Sequence, residues 1–230
     1  MDAITETGKA ELEPLPVLPS RLVSVFFSPG RLVSQLVDNP RWGGALIAVA
    51  AVACISVLLI PVDLFIEVNR QQALERGLDF PEMGETAVRA MRIVIPVMAV
   101  VSTVVFSFVL AGLYTLIFAF ILGDEGRFTQ YLAVVTHAWF IAVLFGLLVT
   151  PLRISTGDPQ FTLNLASFMF FVPEGYFLNV FRVLDLTQIW STLVIAQGVH
   201  AIDHRRSFAS AATVLLTMLV MVALGVARFI

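Results

Sequence analysis

Residues 183–202 read VLDLTQIWSTLVIAQGVHAI, and the architecture of the chain turns on whether they cross a membrane. A span needs about 20 predominantly apolar residues at 1.5 Å each. This stretch is long enough, yet Asp185, Gln188, Gln197 and His200 interrupt it. Its surroundings decide the class. Of 230 residues, 58% are hydrophobic and 13% charged, and the mean hydropathy is +0.91, which excludes an ordinary soluble domain.

Four further runs have the length of a span: 42–62, the charge-free 93–122, 131–151 and 208–226. With 183–202 they predict an all-α integral membrane protein of five transmembrane helices. Nothing before Trp42 reads as a cleavable signal, because ELEPLPVLPS is acidic and proline-rich. Residues 1–27 read as a flexible proline-rich segment and 28–230 as the five-span membrane domain. The single cysteine, Cys54, permits no intrachain disulfide. A net charge of −3 provides no basic surface for nucleic acid.

Before the first span, SPGRLVSQLVDNP predicts a short amphipathic helix. Ser28 suits the N-cap and Pro29 the first helical position. Leu32, Val33, Leu36 and Val37 then share one face until Asp38, Asn39 and Pro40 stop the helix. It either lies in the membrane interface, the placement adopted in the five-span scheme, or packs on the protein's own cytoplasmic end. The segment 63–92 reads as helical at both ends and broken at GLDFPEMG, with Glu85 and Arg89 four apart on one face. LNLASFMFFV, within 152–180, is apolar but only half a span long and reads as re-entrant or interfacial. Small residues at every fourth position predict helix contacts: Ser107, Ala111, Thr115 and Ala119, then Ala209, Thr213 and Thr217.

An N-terminus on the inside divides the 14 lysines and arginines seven to seven between the two sides. Arg31, Arg41 and the Arg205–Arg206 pair lie close to span ends on short polar segments, so the cytoplasmic N-terminus is preferred.

The polar residues inside the apolar runs are the candidate sites. Arg182 and Asp185, three apart, predict a self-neutralising pair; the alternative is a proton relay or cation ligand, because an intramembrane carboxylate is costly to isolate. Gln188 and Thr192 continue the Asp185 face toward interhelical hydrogen bonds, and Gln197 adds a further polar group. His137 stands alone in the third span, where a bond to Asp185 or Gln188 is the expected use. Trp190 reads as a packing residue or interfacial anchor. His200 and His204 have metal-ligand spacing, but no third ligand completes a site, and a solvated helix end is the plainer reading. No metal or cofactor is expected. No nucleophile arrangement, phosphate loop or dinucleotide fingerprint is present, and no enzyme is expected.

The block GDEGRFTQYLAVVTHAWF resembles the bacterial branch of the Yip family, the Ypt-interacting membrane proteins, in which a Gly-x-Glu-Gly-x-Phe loop leads into the third span. Gly123, Glu125, Gly126 and Phe128 match that loop. FFSPGRLVSQLVDNPRW resembles the family's leading segment through Phe27, Ser28, Pro29, Pro40 and Trp42, and LDLTQIW followed by QG resembles its fourth span through Asp185, Trp190 and Gly198. Thr187 departs from the family, standing where an aromatic is usual. The resemblance implies a multi-pass protein of the bacterial inner membrane with a cytoplasmic N-terminus and no established activity. Two functions stay open: a non-enzymatic organiser of membrane lipids, other membrane proteins or a homo-oligomer, and a small transporter, channel or lipid-scramblase component with a polar path along 183–202.

Overall fold

In the computed structural model, residues 15–229 are described. They form ten α-helices: α1 (Leu18–Phe27), α2 (Pro29–Asp38), α3 (Gly43–Leu59), α4 (Val62–Glu75), α5 (Glu85–Tyr114), α6 (Phe128–Leu148), α7 (Thr150–Thr156), α8 (Tyr176–Val183), α9 (Leu186–Ile202) and α10 (Phe208–Val226). Three helical segments are long and apolar enough to cross a membrane: Glu85–Ile121, Phe128–Leu148 and Phe208–Val226. A fourth arises if α3 and α4, bent by 78° at Ile60–Pro61, count as one broken span. Pro61 lacks an N–H and disfavours helical geometry at the preceding residue, so Ile60 turns extended and the chain changes direction there. The helix therefore does not continue straight past Ile60, whereas α5 runs on from Glu85, with its Glu85–Arg89 pair at 3.1 Å.

At its far end α5 slips into a π-helical turn, Thr115–Ile121. The Thr115 hydroxyl donates to the Ala111 carbonyl at 2.7 Å, drawing on an acceptor of the α-helical ladder where the register changes.

α6 is the axis of the bundle. Tyr131 through Ala138 are all buried, as expected of a helix apolar on every side. α3 and α5 pack on one flank of α6, and α1, α2 and α9 cover the rest, while α10 lies outside on α9 and α8. Ser107 and Ala111 are fully buried, as their small-residue spacing predicts. The second small-residue face is not where the sequence placed it. Ala209, Thr213 and Thr217 are exposed, and α10 meets its neighbours through Ala211, Ala212, Leu215 and Ala223. Thr213 satisfies its hydroxyl on the Ala209 carbonyl of its own helix at 2.8 Å, so it needs no partner helix.

Three further expectations change at the N-terminal side. Residues 18–27, read as part of a flexible segment, form α1; Pro19 falls in its first turn, where a missing N–H costs nothing. The part of that expectation covering residues 1–14 lies outside the described residues. Leu32, Val33 and Leu36 are at most 1% exposed, so α2 is packed on α9 and α6 rather than laid in the interface. Ser28 makes no side-chain cap to α2; its backbone N–H instead closes α1 on the Ser24 carbonyl.

Hydrogen bonds sort the connecting segments into two ends. Gln130 Nε2 donates to the Val37 carbonyl at 3.0 Å, and Glu125 N–H to Asp203 at 2.9 Å. The segment before α3, the α5–α6 loop and the α9–α10 loop thus share one end. At the other, Tyr176 Oη donates to the Leu224 carbonyl at 2.7 Å, and Leu165 N–H to the Leu184 carbonyl at 2.9 Å. LNLASFMFFV lies there as a short 3₁₀ turn, Leu165–Phe168, and irregular chain, with Phe170 and Phe171 exposed.

Candidate functional site

At the first end the loop 123–127 and residues 203–207 interlock. Gly123 has a φ of +72°, a left-handed value that lets the chain leave the π turn. Gly126 follows with no room for a side chain: a Cβ there would lie 2.8 Å from Ile202 Cγ2 and 2.9 Å from the Tyr131 hydroxyl. With both in place, Asp124 reaches Arg206 through two bonds, one from Nε and one from Nη2 at 2.6 Å. The Arg206 guanidinium also lies 5.6 Å above the centre of the Phe118 ring, and its backbone carbonyl accepts from His200 Nδ1 at 2.7 Å.

Asp203, 6% exposed, accepts from the Glu125 and Arg205 backbone N–H groups and from the Arg205 guanidinium. The guanidinium foremost, then those N–H donors, hold its carboxyl well below the usual carboxylate range. A carboxyl depressed on folding stabilises the fold fully above its unfolded pKa of about 3.9, and that contribution is lost as pH falls below it toward the folded value. The melting temperature of the detergent-solubilised protein is accordingly expected to hold from pH 8 to about 5 and to drop below about 4. Asp203→Asn should show a smaller acid drop; an undiminished drop would exclude Asp203 as its source.

At the opposite end Asp185 closes α9. Its Oδ1 accepts from the Thr187 N–H at 2.6 Å and the Thr187 hydroxyl at 2.5 Å, an N-cap. The expected Arg182–Asp185 pair is absent. α8 stops at Val183 and α9 begins at Leu186, so the three-residue helical spacing does not apply; Arg182 pairs with Glu174 at 3.1 Å and with Asn179. Thr187, the departure from the family pattern, is what receives the cap. Asp185→Asn should therefore be nearly neutral and Asp185→Leu cost about 1 kcal/mol in thermal unfolding; equal losses would argue against capping.

A cavity of about 190 Å³ reaches Asp185, lined also by Arg153, Thr162, Gln188, Phe145 and Val149. It goes no deeper as an open path. Val134, Val135, His137, Ala138 and Ile141 on α6 and Val194, Ile195 and Ala196 on α9 are at most 3% exposed, leaving no water-sized gap beside them. Across this seam Ser191 donates to the Ala138 carbonyl at 3.0 Å, the interhelical bond expected of Gln188 or Thr192. Gly198 brings the helices together, since a Cβ there would overlap the methyls of Val134.

His137 bonds neither Asp185 nor Gln188. Its Nδ1 lies 2.7 Å from the Ala133 carbonyl of its own helix, and Nε2 is buried without a partner among the described residues. Gln197 rests over Gly30 of α2, its Nε2 3.2 Å from where a Cβ would stand. Trp190 packs edge-on against Phe26, with ring centres 5.8 Å apart. His200 and His204 stack edge to face at 5.5 Å, and no three His, Cys, Asp or Glu side chains are grouped to hold a metal among the described residues. Phe128 opens α6 against Phe108, Pro29 opens α2 and Pro40 follows its end.

Asp124, Arg206 and Arg21 carry the polar structure of the first end, and none stands out in the sequence as a site. Asp124 and Arg206 are 82 residues apart, and no local spacing signals their pairing.

Apolar helices around a packed axis, with charges confined to the ends, define a multi-pass helical membrane protein. The Yip1 domain family model matches residues 23–228, and the chain belongs to that family. Gly126 and Gly198 are where helices or loops approach too closely for a side chain. No curated protein and no solved structure matches the chain.

Proposed function

We propose that the chain is a non-enzymatic organiser of membrane lipids or partner proteins in a bacterial inner membrane, built on five crossings by α3, α5, α6, α9 and α10. The N-terminus faces the cytoplasm. α3 and α9, at 17 residues each, are about 26 Å long, close to the bilayer core of about 30 Å. The observation that carries the reading is the closed α6–α9 seam, beside which the polar residues of 183–202 are used as a cap, as helix-contact groups and as end contacts. The largely exposed apolar surfaces of α5 and α10 are then faces for lipid or partner helices.

The alternative, a transporter, channel or scramblase component, draws support from one group, the unpartnered Nε2 of His137. Reconstitution into liposomes separates the two. Proton flux, followed by an enclosed pH dye, and lipid flipping, followed by quenching of a headgroup-labelled lipid, are expected at the protein-free level. Flux that is lost in His137→Ala or Asp185→Asn would overturn the organiser reading.

A further inference from the structure

Arg21 of α1 is a buried cation with no counter-charge among the described residues. It is 6% exposed, and its guanidinium makes one hydrogen bond among the described residues, from Nη1 to the Arg41 carbonyl at 3.0 Å. Nε is buried without a partner. Arg41, a second cation, lies beside it. Neither arginine pairs with a carboxylate among the described residues, whereas Arg70, Arg89, Arg182, Arg205 and Arg206 all do. Burying a guanidinium beside another costs several kcal/mol unless an anion compensates it.

The position tells which anion. Arg41 is exposed and immediately precedes Trp42, which packs on Phe108 of α5 where α3 begins. Tryptophan at a helix end marks headgroup depth. Two guanidiniums there, one fixed by its bond to the other's backbone and one on an exposed residue, present N–H donors suited to phosphate oxygens.

We infer that Arg21 and Arg41 form a binding site for the phosphate of an anionic phospholipid headgroup, where α1 and α2 meet the start of α3. The site is independent of which way the protein faces, because both leaflets carry phosphate. It places a lipid contact on the buried hairpin rather than on the outer surface of α5 and α10.

The test uses the full chain in detergent, with phosphatidylglycerol, phosphatidylcholine or inorganic phosphate added, and reads both lipid binding by native mass spectrometry and melting temperature. Phosphatidylglycerol is expected to bind about fivefold or more tightly over phosphatidylcholine, the ~1 kcal/mol that one arginine contributes toward an anionic lipid. Arg41→Gln, at an exposed position, should lose that preference while melting normally in phosphatidylcholine, and Arg21→Lys, which keeps the charge without the planar fork, should weaken it. A preference unchanged in both variants would overturn the site. Protection by inorganic phosphate with no preference between the lipids would overturn the lipid as its occupant.

Discussion

Gly198→Ala is expected to lower stability by about 1–3 kcal/mol, although a glycine-to-alanine change inside a helix ordinarily raises it. The added methyl overlaps Val134, and both residues are fixed on packed helices, so α6 and α9 must part. Two comparisons isolate the cause. Gly43→Ala, with nothing within 4 Å of the new carbon, should be neutral or stabilising. Val134→Ala should rescue Gly198→Ala in part, because it removes the methyls in the way. Thermal unfolding of the four proteins in one detergent reads all of this; equal behaviour of the two glycine variants would mean that the helices are not held at this distance.

Arg206→Gln is expected to cost about 3 kcal/mol, the usual loss when one member of a buried ion pair is left alone. Its side chain is 16% exposed and that of Asp124 8%, and the Asp124 carboxylate raises the arginine's pKa further above its ordinary value. Asp124→Asn should lose nearly as much, and Asp124→Asn with Arg206→Gln less than the sum, since the double variant strands no charge. The exposed Glu85–Arg89 pair provides the contrast: Arg89→Gln should change stability by less than about 1 kcal/mol. Additive losses at Asp124 and Arg206 would show that the α5–α6 and α9–α10 loops are not joined there.

The membrane class was legible at once, because apolar runs of span length follow from composition alone. The positions of Gly126 and Gly198 were legible as motif matches, but their cause was not: each faces a residue far away in sequence, Ile202 and Val134. Asp185 shows the opposite failure. Its polarity made it conspicuous, and the three-residue rule assigned it to Arg182, yet the break at Leu184 takes it out of helical geometry and makes it the cap of the next helix. Ala209, Thr213 and Thr217 failed for a different reason. Small-residue spacing shows that a helix can be approached closely but not from which side, and that side is set by where α9 and α8 lie. A helix over 29–38 was legible from SPGRLVSQLVDNP, but an apolar face fits a bilayer interface and a protein groove equally well, and its packing on α9 and α6 depends on residues far away in sequence.

In the five-crossing reading the two polar ends lie on opposite sides of the membrane, joined by a closed bundle. The direct measurement is two-sided labelling in a Cys54→Ser background, with Glu125→Cys reporting the first end and Glu174→Cys the second. Both carboxylates are well exposed, at 86% and 78%. A membrane-impermeant maleimide applied to intact cells is expected to label the Glu174→Cys protein and to reach the Glu125→Cys protein only after permeabilisation. Labelling of both from the same side would contradict the five crossings on which the account depends.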